Sequence, residues 1–275
     1  MSRKLAPPAL PINELKDTLH RLTEQAASAD LSPVRRRALE KQIREVIEDL
    51  SAFLGALDPI RQPTSIFDPS NPKIVGRFVA LAMVAQDRLP LAEIPRFYGS
   101  GVYAIYYKGS FEPYQPISGT ETPIYVGQAA PAIKNARTPF EQTDKLSGRL
   151  ADHRKNIAKA KTTLDIVDFE FRSLVVQSGW ETPAENYLIH LFKPIWNKET
   201  KLVYGIGKHG DAATTRTNKR SPWDTLHPAR AWATTEEKKS VEQIEKDLAA
   251  HFGAHPIYPD LDSVLNSFVE ELRQV

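Results

Sequence analysis

The sequence predicts an α+β fold, and three observations carry the prediction. Apolar residues recur at helical spacing through much of the first 90 positions. Short runs of β-branched and aromatic residues then alternate with amphipathic helical segments. No βαβ rhythm and no GxGxxG turn points to a doubly wound sheet instead.

Taken in chain order, Ile12, Leu15, Leu19, Leu22, Ala26 and Ala29 are spaced 3, 4, 3, 4, 3, and Leu39, Ile43, Val46, Leu50, Phe53 and Leu57 are spaced 4, 3, 4, 3, 4. Both are heptad seams, and they predict an antiparallel hairpin of helices over 12–29 and 33–57. Ser32-Pro33 supplies the cap and first-turn proline of the second helix. The seams suit either packing on the rest of the chain or association between chains. Asp58-Pro, Gln62-Pro, Asp68-Pro and Asn71-Pro then break the chain repeatedly, and a helix over 73–87 follows. Beyond Pro95, GVYAIYY at 101–107 reads as a strand, Ile124-Tyr-Val126 as a second and 165–176 as a third. Helices are expected over 145–160, 183–193 and 235–252. The regions are therefore helical (1–90), core (91–200), basic loop (201–232), and C-terminal helix with acidic tail (233–275).

Composition narrows the function classes. With 41% hydrophobic and 25% charged residues the chain is globular rather than disordered. No apolar run approaches the roughly 20 residues of a membrane span, and the N-terminal stretch lacks a continuous apolar core for secretion. The absence of cysteine excludes disulfides, thiolate nucleophiles, cysteine zinc fingers and iron–sulfur clusters. The expected location is cytoplasmic, with no membrane partner. Charge is uneven: 145–161 holds six Lys/Arg against Asp152, and 201–232 holds six against Asp211 and Asp224. Residues 233–275 reverse the balance, with nine acids and four bases. Such segments form either a polyanion-binding face or ordinary solvated helix surfaces.

Several side chains are placed for chemistry. Glu185 shares a helical stripe with Leu188, Ile189 and Phe192, where a carboxylate must be paired, protonated or metal-bound. It also fits a capping box with Thr182, in which it would only bond back to the helix start. Arg149 and His153, one turn apart, lie at the margin of the stripe formed by Leu146, Leu150 and Ile157. They suit a phosphate pocket, with Arg as fork and His as proton carrier, or a plain surface pair.

Gly101-Val-Tyr103 on one strand and Tyr125-Val-Gly127 on the next are followed in order by the Arg149/His153 helix, Glu185 on a helix, and Asn197. In this order the sequence resembles the GIY-YIG nuclease superfamily. It is similar more specifically to type II restriction endonucleases of that superfamily that cut SacII-type CCGCGG sites. That likeness rests on 99–107, 123–127, 146–159, 193–197 and the SPWD to HPARAW stretch at 221–232. The long gap between Tyr103 and Tyr125 departs from the usual short hairpin, and the first 90 residues have no counterpart in the superfamily core.

The resemblance implies a small antiparallel sheet flanked by helices, and a Mg²⁺-dependent site-specific deoxyribonuclease. Glu185 would hold one divalent metal, Tyr103 would act as general base assisted by His153, Tyr125 and Arg149 would bind the scissile phosphate, and Asn197 would orient the site. With one carboxylate at the site, a single-metal mechanism is expected. Lys208, His209, Arg216, Asn218, Lys219 and Arg220 are donors suited to guanine edges and phosphates of double-stranded DNA. A palindromic site calls for a homodimer or homotetramer, and a restriction system for a cognate DNA methyltransferase without direct contact. The alternatives are a DNA-binding or regulatory protein on an inactive scaffold, against which the complete residue set argues, and a repair or homing nuclease, against which 221–232 argues.

Overall fold

Seven consecutive β-branched, aromatic and small residues make β2 (Gly101–Tyr107), and every one of them is buried. A strand buried on both faces must be central, and β2 is. In the computed structural model of the chain, which describes residues 12–29, 31–57, 60, 66–207, 219–233 and 235–273, β2 pairs antiparallel with β3 (Tyr125–Ala129) on one side. It pairs with β4 (Phe169–Val175) on the other. The two-residue β1 (Leu89–Pro90) adds beyond β4, so the sheet order is β1-β4-β2-β3 and β3 is an edge.

The period-2 alternation of β2 divides the core into two layers. Tyr103, Ile105 and Tyr107 face a cluster that includes Leu146, Leu150 and Ile157 of α5 (Lys145–Lys159), Trp223 of α7 (Pro222–Leu226) and Ile244 of α8 (Val241–Ala254). Val102, Ala104 and Tyr106 face the other layer, built from α3 (Pro72–Val84), α6 (Glu181–Phe192) and α9 (Leu261–Leu272). A one-turn helix, α4 (Pro139–Gln142), precedes α5. A two-stranded parallel pair, β5 (Lys219–Arg220) and β6 (Thr235–Glu237), brackets α7. The fold is α+β with a small antiparallel sheet flanked by helices, as the sequence predicts.

The chain divides into two units, at residues 1–66 and 67–275. The first holds two helices at the predicted places, α1 (Ile12–Ser28) and α2 (Pro33–Leu57). The second unit begins earlier than the sequence boundary at residue 90, because α3 is part of its core. Asn71 caps α3 through Oδ1 to Lys73 N at 2.9 Å, and Gly76 lets the helix lie against α6, where a Cβ would sit 2.8 Å from Pro183. At the other end, what reads as an acidic tail is a capped helix. Asp260 accepts from Ser263 N at 2.8 Å, and α9 buries Val264 and Phe268. Among the described residues, no helix is long and apolar enough to cross a membrane.

The 221–232 stretch is an internal staple. Ser221 and Asp224 form a reciprocal capping box, and the buried Arg230 pairs with Asp224 at 2.6 Å while bonding the carbonyls of Gly205 and Ile206. The indole N–H of Trp196 donates to Tyr114 at 3.0 Å, so the Tyr114 hydrogen goes to His227 Nε2 at 2.6 Å. His227 Nδ1–H then donates to Thr163 at 2.8 Å. Burial holds His227 down to about 3, and it holds His153 there as well, helped by Arg149. Both imidazoles are therefore neutral when folded and protonated when unfolded below about pH 6.5. Their contribution to stability is complete above that pH and is lost as pH falls towards 3, at about 1.4 kcal/mol per unit for each. Urea denaturation at pH 7 and pH 5 should show a loss of about 2 kcal/mol per histidine, partly offset by Glu185, whose raised carboxyl is protonated over the same window; equal midpoints at the two pH values would contradict it.

Candidate active site

The site forms where the edge strand β3 lets both layers meet. Register places Tyr103 opposite Gly127 and Ile105 opposite Tyr125, so the two tyrosines project from the same face of neighbouring strands. Their ring centroids are 6.0 Å apart, and the His153 ring lies 5.6 Å from Tyr103 and 4.7 Å from Tyr125. The Tyr103 hydroxyl and His153 Nε2 share a hydrogen bond of 2.7 Å, while His153 Nδ1 is buried without a partner. Arg149, one turn earlier on α5, is exposed and makes no hydrogen bond or ion pair among the described residues. Its charge acts on Tyr103, Tyr125, His153 and Glu185 together.

The two glycines of the paired triplets are required by close approach. A Cβ at Gly101 would collide with the carbonyl oxygen of Leu174 on β4. One at Gly127 would sit 2.5 Å from the Tyr103 hydroxyl and 2.9 Å from the Tyr125 ring. Gly127→Ala should therefore cost about 1–3 kcal/mol by overpacking and displace both hydroxyls. Melting and cleavage rates measured together check this; wild-type values in both would mean that the rings move aside freely.

From the opposite layer comes Glu185. The capping alternative is not what the helix does: α6 starts at Glu181, and the Thr182 hydroxyl donates to Gln128 Oε1 at 3.1 Å. Glu185 is half-buried and pushed up to about 7, first by burial and then by the charge of Glu199, with Gln128 and Arg149 opposing. Burial also raises Tyr103 and Tyr125; Glu185 adds to both, and Arg149 pulls both down. Asn197 is buried against the outer side of β3. It accepts from Val126 N–H and donates to Val126 C=O, each at 2.9 Å. These are the backbone groups a further strand would take, so Asn197 closes the edge and fixes the segment between Tyr125 and Gly127.

Sequence reasoning passed over Gln128 and Glu199. Gln128 is signalled by its place next to the Tyr-Val-Gly triplet, on the face opposite the tyrosines. Glu199 has no local signal beyond following Asn197 by two residues. It brings a second negative charge to bear on Glu185 and Tyr125, where the sequence suggested a single carboxylate. No group of three or more His, Asp or Glu able to hold a metal occurs among the described residues. One or two carboxylates suit Mg²⁺, which retains most of its water. A cation here would also relieve the repulsion between Glu185 and Glu199.

Two grooves adjoin these residues. One, of 530 Å³, is lined by Arg149 with Arg96, Lys145, Arg154 and Lys155, and by Asp144 and Asp152, which pair with Arg96 and Lys155. The other, of 740 Å³, is lined by Tyr125 with Lys198, Tyr204, Lys238 and the Arg220–Glu237 pair. Of the sequence-selected DNA contacts, Lys208, His209, Arg216 and Asn218 lie outside the described residues. Lys219 is described through its backbone in β5. Arg220 is half-buried, donating to Ala233 O at 3.0 Å and to Glu237 at 3.1 Å.

Residues 95–252, more than half of the chain, match the family model described as the Eco29kI GIY-YIG domain. The chain belongs to that family. It is a nuclease that acts on DNA. The stretch matched to the Eco29kI GIY-YIG domain runs from just before β2 into α8 and includes all six residues of the cluster, whereas α1, α2, α3 and α9 lie outside it. No curated protein matches the chain.

Proposed function

We propose that this nuclease is a Mg²⁺-dependent type II restriction endonuclease that cuts double-stranded DNA at a palindromic, GC-rich, CCGCGG-like site. The observation that carries the mechanism is the 2.7 Å hydrogen bond between the Tyr103 hydroxyl and His153 Nε2. His153, neutral at physiological pH, can accept the Tyr103 proton while the Tyr103 oxygen takes one from water. The relay leaves Tyr103 neutral and sets the hydroxide against an imidazolium, so no phenolate forms in the buried site. Tyr125 and the free guanidinium of Arg149 face the phosphate and stabilise charge developing on its non-bridging oxygens. A Mg²⁺ held by Glu185, with Glu199 beside it, would supply charge neutralisation at the leaving oxygen. Asn197 positions β3 without touching the substrate.

The basic grooves beside Arg149 and Tyr125 give the DNA backbone a path across the site, and 208–220 would read base edges. A palindrome requires two copies, and such enzymes work beside a cognate methyltransferase in the cytoplasm. The test is digestion of plasmid with and without Mg²⁺, with the cut ends sequenced. Discrete fragments with identical GC-rich ends are expected only with Mg²⁺. Random nicking would overturn the site-specific reading, and metal-independent cutting would overturn the role of Glu185.

A further inference from the structure

Helix α5 carries a third polar side chain along the face that bears Arg149 and His153. Asn156 follows His153 by three residues and Arg149 by seven, so the three share one stripe of the helix. Arg149 is exposed at one end of the stripe, His153 is buried in the middle, and Asn156 is half-buried at the other end. Asn156 Nδ2 donates to the carbonyl oxygen of Ile206 at 3.0 Å.

That carbonyl belongs to the wall of the groove that Tyr125 also lines. The wall is held by α7 and the residues after it as well. Tyr204 O accepts from Trp223 N at 3.2 Å, Gly205 O from Arg230 Nη2 at 2.9 Å and Ile206 O from Arg230 Nη1 at 3.1 Å. Arg230 is itself fixed by its buried ion pair with Asp224. Gly205 has φ +118°, and a Cβ there would collide with the Ser221 hydroxyl. Three successive carbonyls thus fasten residues 204–206 to the staple, and Asn156 fastens α5 to the same point.

His153 needs such an anchor. An acid–base histidine is ordinarily oriented by a partner on its second ring nitrogen, and His153 Nδ1 is buried without one. Its ring takes its place from the two tyrosine rings beside it and from the helix that carries it. The start of α5 is tied to the segment before β2, through Leu146 N to Gly99 O at 3.0 Å and Ser147 Oγ to Phe97 O at 2.8 Å. Beyond His153, Arg154 donates to Ala92 O at 3.3 Å and Asn156 to Ile206 O. Of these ties, the one through Asn156 leads to the groove wall.

We propose that Asn156 is a positioning residue for DNA cleavage, which seats His153 against Tyr103 by anchoring α5 to the groove wall at Ile206. The proposal rests on the reading of His153 as the acceptor of the Tyr103 proton.

The test is single-turnover cleavage of plasmid DNA in Mg²⁺ with the full-length protein in excess. Asn156→Leu keeps the approximate volume and removes the donor, while Ile206 O retains Arg230. The saturated rate should fall by about 10- to 100-fold, the scale of a misplacement of about 1 Å, with metal-free DNA affinity and melting temperature close to wild type. His153→Ala should lower the rate by about 10²–10⁴, still measurable with enzyme in excess, and adding Asn156→Leu to it should lower the rate no further. Asn156→Asp has the same size and no donor at neutral pH. It should match Asn156→Leu, and it stands in for the leucine variant if that one does not fold. A wild-type rate in the Asn156 variants would overturn the proposal. So would the same fold loss with and without His153, since Asn156 would then act through some other group. A wild-type rate in His153→Ala would overturn the proton-acceptor reading and the proposal with it, a failure seen without altering Asn156.

Discussion

With Glu185 in the proposed metal site, Glu185→Gln should leave a folded protein that binds DNA and no longer cuts it. The substitution keeps the size and hydrogen-bonding outline of the side chain and removes its charge. Glu185 makes no capping box, so the helix start loses nothing. The folded state holds the carboxyl up to about 7 against an ordinary value near 4.5. Ionising it therefore disfavours folding as pH rises through that window, and glutamine escapes the penalty. The melting temperature should stay level or rise. Cleavage should fall by about 10³-fold or more, the several kcal/mol that metal-ion charge stabilisation supplies. Gel shifts without metal, thermal melts and timed plasmid digestion check the three parts. Wild-type cutting in Mg²⁺ would remove Glu185 from the metal site. A protein that fails to fold would mean that the carboxylate holds the layers together.

Tyr103→Phe should lower the turnover rate by roughly 10²–10⁴, the usual range for losing a general base, with DNA affinity little changed. The ring still fills its place in the core, since Tyr103 is fully buried between Tyr125 and His153. The hydroxyl is also the partner of His153 Nε2, so losing it leaves a buried nitrogen unpaired at a cost of about 1–3 kcal/mol. Rate and stability thus fall together, and single-turnover kinetics well below the melting temperature separate them. An unaffected rate would pass the base role to His153 or to solvent hydroxide.

The sequence by itself determined the parts whose cause is local. β-branched and aromatic content made 101–107 a strand, since such side chains pack well on a pleated surface. Ser32-Pro33 set a helix start, because a capping oxygen and a fixed φ act within one turn. Heptad spacing gave α1 and α2. Tyr103, Tyr125, Arg149, His153, Glu185 and Asn197 were legible as an ordered set before any of them had a position in space.

The tertiary structure alone decided how they meet. Tyr103, Tyr125 and His153 come from one layer of the core and Glu185 from the other, and they approach each other because β3 is an edge that both layers reach. That placement follows from pairing between residues tens of positions apart, which no periodicity reports. For the same reason Asn197 was legible as a site residue but not as the clamp on Val126, and Glu199 stayed hidden until folding set its charge against Glu185. Residues 221–232 stood out in the sequence, yet what their burial achieves is a staple of Asp224, Arg230 and His227 onto the core. The final acidic segment was misread because α9 presents only Val264 and Phe268 as fully buried residues, too few to outweigh its charge until α3 and α6 supply the surface that covers them.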